Sequence, residues 1–398
     1  MKTNHKYSSL IAATAALALL AVGPATFVVA SPIVVRVTEN RSLGDSRVIA
    51  RVPNLPGFPE GIAVHGSRIY VSGPAQFGNF QQGKIFAFDI DSGELVQEYP
   101  IQGQDLTKPV ANTGIAFDQK SRLYVADTQQ GVISIDVEEA GAQQVYATAL
   151  ADLPLCSEAA PGAACSPTSS DSPPLINDIV FDKKGNLYMS DSFQATIWRV
   201  PRGGGEPQIW FQDSRLDMQV GPNGMRIDEK GEKLYFAASL DSQGHGFIYT
   251  LPLVDQPSAA DLSILHEYTA GEIPDGIAFG KSGLLYVALA GTSQISVLSP
   301  QGAEQSRYSG PAFDPANPAQ PLQWANPAGI AFNDRTRSLL VTNHAIFAPI
   351  PDGLFAVMDV YVNDKAAHLA EPHLAKRGDA SSEDASDSAT GGGPRLRH

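Results

Sequence analysis

The sequence predicts an all-β chain folded as a six-bladed β-propeller, each blade a four-stranded antiparallel sheet. Three observations point there. One six-residue phrase occurs six times, its copies stand about fifty residues apart, and each is followed closely by a second strand-like phrase. The copies read Pro-Glu-Gly-Ile-Ala-Val at 59–64, Asn-Thr-Gly-Ile-Ala-Phe at 112–117 and Ile-Asn-Asp-Ile-Val-Phe at 176–181. They continue as Pro-Asn-Gly-Met-Arg-Ile at 222–227, Pro-Asp-Gly-Ile-Ala-Phe at 274–279 and Pro-Ala-Gly-Ile-Ala-Phe at 327–332. Their third residues are separated by 53, 64, 46, 52 and 53 positions. A fixed period of this size marks repeated supersecondary units, here blades.

Taken in order, the elements begin with residues 1–30, which read as an export signal. Lys2, His5 and Lys6 are followed by an apolar stretch from 10 to 30, and Val28-Val29-Ala30 suits cleavage. A retained membrane anchor is the alternative reading. With cleavage the protein is secreted or periplasmic, and no later segment is apolar enough to span a membrane. The propeller follows at 31–364. Two strand candidates, 33–37 and 48–52, precede the first copy and belong to no blade of their own. Each copy then leads through a polar turn into a phrase such as Arg-Leu-Tyr-Val-Ala-Asp at 122–127, and a third strand follows at 84–89, 132–136, 196–200, 247–251, 294–298 and 354–361. The sixth blade runs out after its third strand, so an N-terminal strand is expected to complete it and close the ring, leaving no open edge. The long gap holds Cys156 and Cys165, which are expected to form a small-loop disulfide in an oxidising compartment. Residues 365–398, rich in Ser, Asp and Glu before a Gly run, are expected to be a disordered tail.

The net charge of −14 repels a nucleic-acid backbone, so no nucleic-acid partner is expected. In a propeller the first strand of every blade lines the axis, and the residue before the repeated Gly lies near one mouth. Those residues are Glu60, Thr113, Asn177, Asn223, Asp275 and Ala328. Glu60, Asn177, Asn223 and Asp275 supply four hard oxygen donors with no imidazole or thiolate among them. That set selects one divalent cation of the calcium or magnesium kind, calcium being the more tolerant of irregular geometry. Asn and Asp also serve as turn formers before strands, which accounts for Asn223 and Asp275 singly but not for Glu60 or for the shared repeat position.

On Pro59-Glu60-Gly61, Asn177-Asp178, Pro222-Asn223-Gly224 and Pro274-Asp275-Gly276 the chain resembles the family of senescence marker protein-30, gluconolactonase and the LRE-like proteins, over residues 47–363. The resemblance implies a calcium-type divalent metal and hydrolysis of a small lactone or related ester. It implies Glu60, Asn223 and Asp275 as metal ligands, and Asn177 as a further ligand or substrate contact. Thr113 is a second expected substrate contact. Asp275 is the catalytic base by analogy, with Glu60 the other carboxylate available. Asn177-Asp178-Ile179 is also similar to the paraoxonase-type lactonases, which makes Asp178 a secondary candidate. His344 is another, since some related lactonases use a histidine base. Leu175 stands where gluconolactonase-like members often carry an arginine that contacts the sugar lactone. No Gly-x-Ser-x-Gly elbow is present, so a serine triad is not supported. The alternative from another class is a non-catalytic, calcium-stabilised propeller acting as a binding module.

Overall fold

The inner strands are the natural starting point, because their spacing around the axis dictates the rest. The computed structural model describes residues 41–139, 141–311, 322–372 and 374. The expected export signal, the strand candidate at 33–37 and most of the expected tail lie outside those residues. Six inner strands, Ile62–His65, Asn112–Phe117, Ile176–Phe181, Val220–Ile227, Pro274–Phe279 and Pro327–Asn333, each open a four-stranded antiparallel sheet. These sheets are called blades 1 to 6. Within blades 1 to 5 the strands follow one another outward in chain order, and all pairings are antiparallel.

The second strands explain themselves by burial. Leu123, Tyr124, Val125 and Ala126 are each at most 1% exposed, so the strand is apolar on both faces and shows no alternation. Both faces are covered because each blade is sandwiched between two others. Among the described residues the apolar side chains accordingly gather in six clusters, one per seam. Tyr70, Ile85 and Tyr99 of blade 1 meet Ile115, Leu123 and Ile133 of blade 2 in one of them. Outer strands such as Leu95–Pro100 are largely exposed and carry the polar residues.

The ring closes as the sequence predicts. Ser46–Arg51, the strand anticipated at 48–52, is the outer strand of blade 6, pairing antiparallel with Ala356–Tyr361. Arg41 fastens it: its guanidinium pairs with the fully buried Asp359 and donates to the Asp45 carbonyl at 2.7 Å. At the other end of the chain, residues 365–372 are not a free tail. Lys281 N–H donates to the Lys365 carbonyl, Ala367 N–H to Phe279 and Gln119 N–H to Pro372, so this strap runs beneath the ring from blade 5 to blade 2. Leu374 is 4% exposed in the seam between blades 2 and 3. Among the described residues, no helix is long and apolar enough to cross a membrane.

Candidate metal centre and its mouth

What the axis sees is decided by a bulge. In blades 2 to 6 the register between first and second strand slips at the centre of the repeated phrase, as between Asn112 and Ile115, Ile176 and Ile179, or Pro222 and Met225. A bulge takes its residues out of the alternation and re-aims them. Asn177, Asn223 and Asp275 thereby line one axial cavity of about 20 Å³, together with Asp178 and with Glu60, which stands just before the unbulged inner strand of blade 1. Such a space holds one water-sized guest. Crowding also explains the repeated glycine: a Cβ on Gly329 would lie 2.2 Å from the Glu60 carbonyl oxygen.

The two amides are fixed in orientation. Asn177 Nδ2 donates to Ser192 Oγ at 3.1 Å, and Asn223 Nδ2 donates to Ser239 Oγ at 2.9 Å. Each serine in turn donates to the next blade, to the carbonyls of Pro222 and Pro274. Both Oδ1 atoms are therefore turned away from their serines, and both are buried without a hydrogen-bond partner, as is Glu60 Oε2. Unpartnered buried oxygens are uncommon and costly. Three of them on one small cavity, all hard donors beside two carboxylates, fit a divalent cation of the calcium class. Burial, then Asp275 and Asp178, hold the Glu60 carboxyl well above the ordinary carboxylate range, and burial and Asp178 raise Asp275 as well. A bound 2+ charge would relieve this repulsion. Among the described residues there is no group of three or more His, Cys, Asp or Glu placed to hold a metal; half of this donor set is carboxamide.

Asp178 takes a different part. Its Oδ1 accepts from Ile179 N–H, and its Oδ2 from Met225 N–H and Arg226 Nη1, all at 2.8 Å. It is fully bonded and paired with a guanidinium. It fits the axis because Gly114 opposite has no side chain; a Cβ there would lie 2.3 Å from Asp178 Oδ1. Arg226 was not anticipated, although the signal is in the sequence. Its equivalents in the other copies are Ala63, Ala116, Val180, Ala278 and Ala331. The Asp178–Arg226 pair floors the axial cavity, and beyond it lies a lower cavity lined by Arg226, Phe117, Phe181, Phe279 and the strap.

Above the ring of donors opens a mouth cavity of about 330 Å³ that shares Glu60, Asn177, Asn223 and Asp275 with the axial one. Thr113 lines it, with its hydroxyl proton committed to the Ile176 carbonyl at 2.8 Å. Ala328 is buried beneath and touches neither cavity. His344 also lines the mouth; its Nε2 lies 2.6 Å from the Ala75 carbonyl oxygen. It occupies in blade 6 the place that Ser192 and Ser239 hold in blades 3 and 4, one residue beyond the partner of the phrase's first residue. His65, His245 and His266 engage Ser121, Glu267 and Gly302 away from both mouth and axis. Of three long loops, at 73–83, 151–174 and 303–325, the first walls the mouth through Ala75, Gln76 and Phe77. The loop at 151–174, closed by the Cys156–Cys165 disulfide, borders a neighbouring cavity instead. Residues 312–321 of the loop at 303–325 lie outside the description. Phe193 and the segment 344–347, which the repeat pattern does not mark, complete the wall.

The model of the SMP-30/gluconolactonase/LRE-like region matches residues 114–321. The chain belongs to this family. The match contains Asn177, Asn223 and Asp275, and Glu60 precedes it. No curated protein sequence matches the chain. Among solved structures, a calcium-binding protein, regucalcin, from Agrobacterium tumefaciens str. C58 is similar, with 17% identity and a TM-score of 0.56 over 83% of this chain and 98% of that one. A luciferin-regenerating enzyme shares 13% identity and a TM-score of 0.55 over 83% of this chain and 99% of its own. A PQQ-bound aldose sugar dehydrogenase from Streptomyces coelicolor shares 12% identity and a TM-score of 0.53 over 80% and 98%. At such identities the likeness is one of fold alone.

Proposed function

We propose that this family member is a metal-dependent hydrolase of lactones or related esters. The observation that carries the reading is the convergence of three unpartnered buried oxygens, on Glu60, Asn177 and Asn223, at the floor of an open mouth. Family membership supports it. Glu60, Asn177, Asn223 and Asp275 would hold the ion, with calcium the best match to the donors. Bound there, a divalent cation supplies Lewis-acid polarisation of the scissile carbonyl. The protein's own contribution is positional. Ser192 and Ser239 hold the amide oxygens inward, the apolar mouth limits bulk water, and Asp275 takes the proton of the attacking water and returns it to the leaving alkoxide. Export by way of residues 1–30 belongs to the same reading, supported by the Cys156–Cys165 disulfide.

The test is hydrolysis of aldonolactones, alkyl lactones and aryl esters by the purified protein, with calcium and then with excess EDTA, beside melting curves. Activity that vanishes on chelation and returns with calcium is expected. Asp275→Asn is expected to lose turnover far more than calcium binding; equal loss of both would remove Asp275 as the base. Absence of hydrolysis with a calcium-dependent rise in Tm would replace the enzyme by a calcium-stabilised binding propeller. Indifference to calcium in both measurements would dispose of the axial site.

A further inference from the structure

Resting on that reading, we infer that the mouth selects an apolar acyl substrate, a lactone or ester bearing an alkyl or aryl substituent, over a polyhydroxylated sugar lactone. The wall above the donor ring is mainly apolar, with Leu175, Phe193, Leu240, Ile346, Phe77 and Phe347 outweighing the amides of Gln76 and Gln219. Phe77 and Phe193 stack with ring centroids 5.8 Å apart at 23°, although they come from different blades. Phe77 is 64% and Phe347 61% exposed, an unusual placement for large aromatic side chains unless something apolar covers them. A volume near 330 Å³ lies in the range of small-ligand sites and is enclosed on several sides.

The geometry gives the substrate a direction. The carbonyl end must reach the donor ring at Glu60, Asn177, Asn223 and Asp275, which leaves the substituent against the Phe77–Phe193 pair. A sugar lactone would set several hydroxyls against these same walls, where few side chains could bond them, and buried hydroxyls without partners are disfavoured. A methylene in that place is favoured instead.

The experiment is a series of γ-lactones with alkyl substituents from methyl to octyl, with an aldonolactone alongside, measured as kcat/KM. The matching lactams, which resist hydrolysis, are titrated calorimetrically on the calcium-loaded protein. Each of the first added methylenes is expected to raise kcat/KM and lactam affinity about fourfold, the equivalent of about 0.8 kcal/mol, with the aldonolactone below the methyl member. Phe77→Ser combined with Phe193→Ser is expected to flatten both slopes while the calcium-induced rise in Tm stays as in the wild type. A lactam slope without hydrolysis of any lactone would uphold the apolar mouth and refute the hydrolase. Hydrolysis with no dependence on chain length, or with the aldonolactone preferred, would leave the hydrolase standing and overturn the apolar mouth.

Discussion

His344 carries its proton on Nε2, because the Ala75 carbonyl 2.6 Å away can only accept. Burial, partly opposed by that hydrogen bond, lowers its pKa from 6.5 to about 4. The folded protein therefore keeps the ring neutral where the unfolded chain would protonate it. Stability from this residue is complete above pH 6.5 and is lost as the pH falls toward 4. His344→Gln is expected to remove that component. The stability difference between wild type and variant, from urea unfolding in EDTA, should change by roughly 2 kcal/mol between pH 8 and pH 5; an unchanged difference would mean that the ring is not held neutral. The four axial donors were legible because each sits at one repeat position where an apolar residue would have sufficed. Arg226 and Phe193 were not, since a single Arg or Phe acquires meaning only when the ring brings it against Asp178 or Phe77.

In blades 3 and 4 the working unit is a bulged inner strand braced by a serine at the end of the second strand. Ser192 and Ser239 brace side-chain amides, whereas Ser72 braces only backbone, accepting from Gly61 N–H and donating to the Thr113 carbonyl. Partners of metal ligands typically carry tenfold to hundredfold effects on affinity. Ser239→Ala and Ser192→Ala are thus expected to weaken calcium binding about tenfold or more in calorimetry. Ser72→Ala should lower Tm while leaving calcium affinity within about threefold, and a matched loss in all three would show that the hydroxyls support strands alone. The strands themselves could be read ahead of the structure, because the phrase and its Leu-Tyr-Val follower repeat. The bulge could not, since slippage by one residue depends on the partner strand and leaves no mark in composition.

Over the whole molecule, the closing strand is held by a buried charge pair, with Thr336 Oγ1 also within 3.4 Å of the carboxylate. Asp359 is fully buried and its guanidinium partner comes from Arg41, across the join between the two ends of the ring. Removing one member of a buried pair strands the other, at about 3–5 kcal/mol. Arg41→Met is expected to lower the unfolding free energy from urea titration by that much, and Arg41→Met with Asp359→Asn to recover a good part of it; no recovery would assign the loss to packing of the arginine stem. Closure was foreseeable from the count of strands, six copies with one strand short. The strap at 365–372 was not, because a polar, Ala-rich composition resembles a solvated tail until Lys365, Ala367 and Pro372 are seen hydrogen-bonded to the underside.

That strap, with the Asp178–Arg226 pair above it, lines the side of the central passage away from the mouth. In the proposed reaction the substrate reaches the axis through the mouth, past Phe77 and Phe193. A hydroxy acid formed there carries a negative charge that the lactone lacked. Opening a lactone thus turns a neutral guest into a charged one between apolar walls, which favour its departure into water.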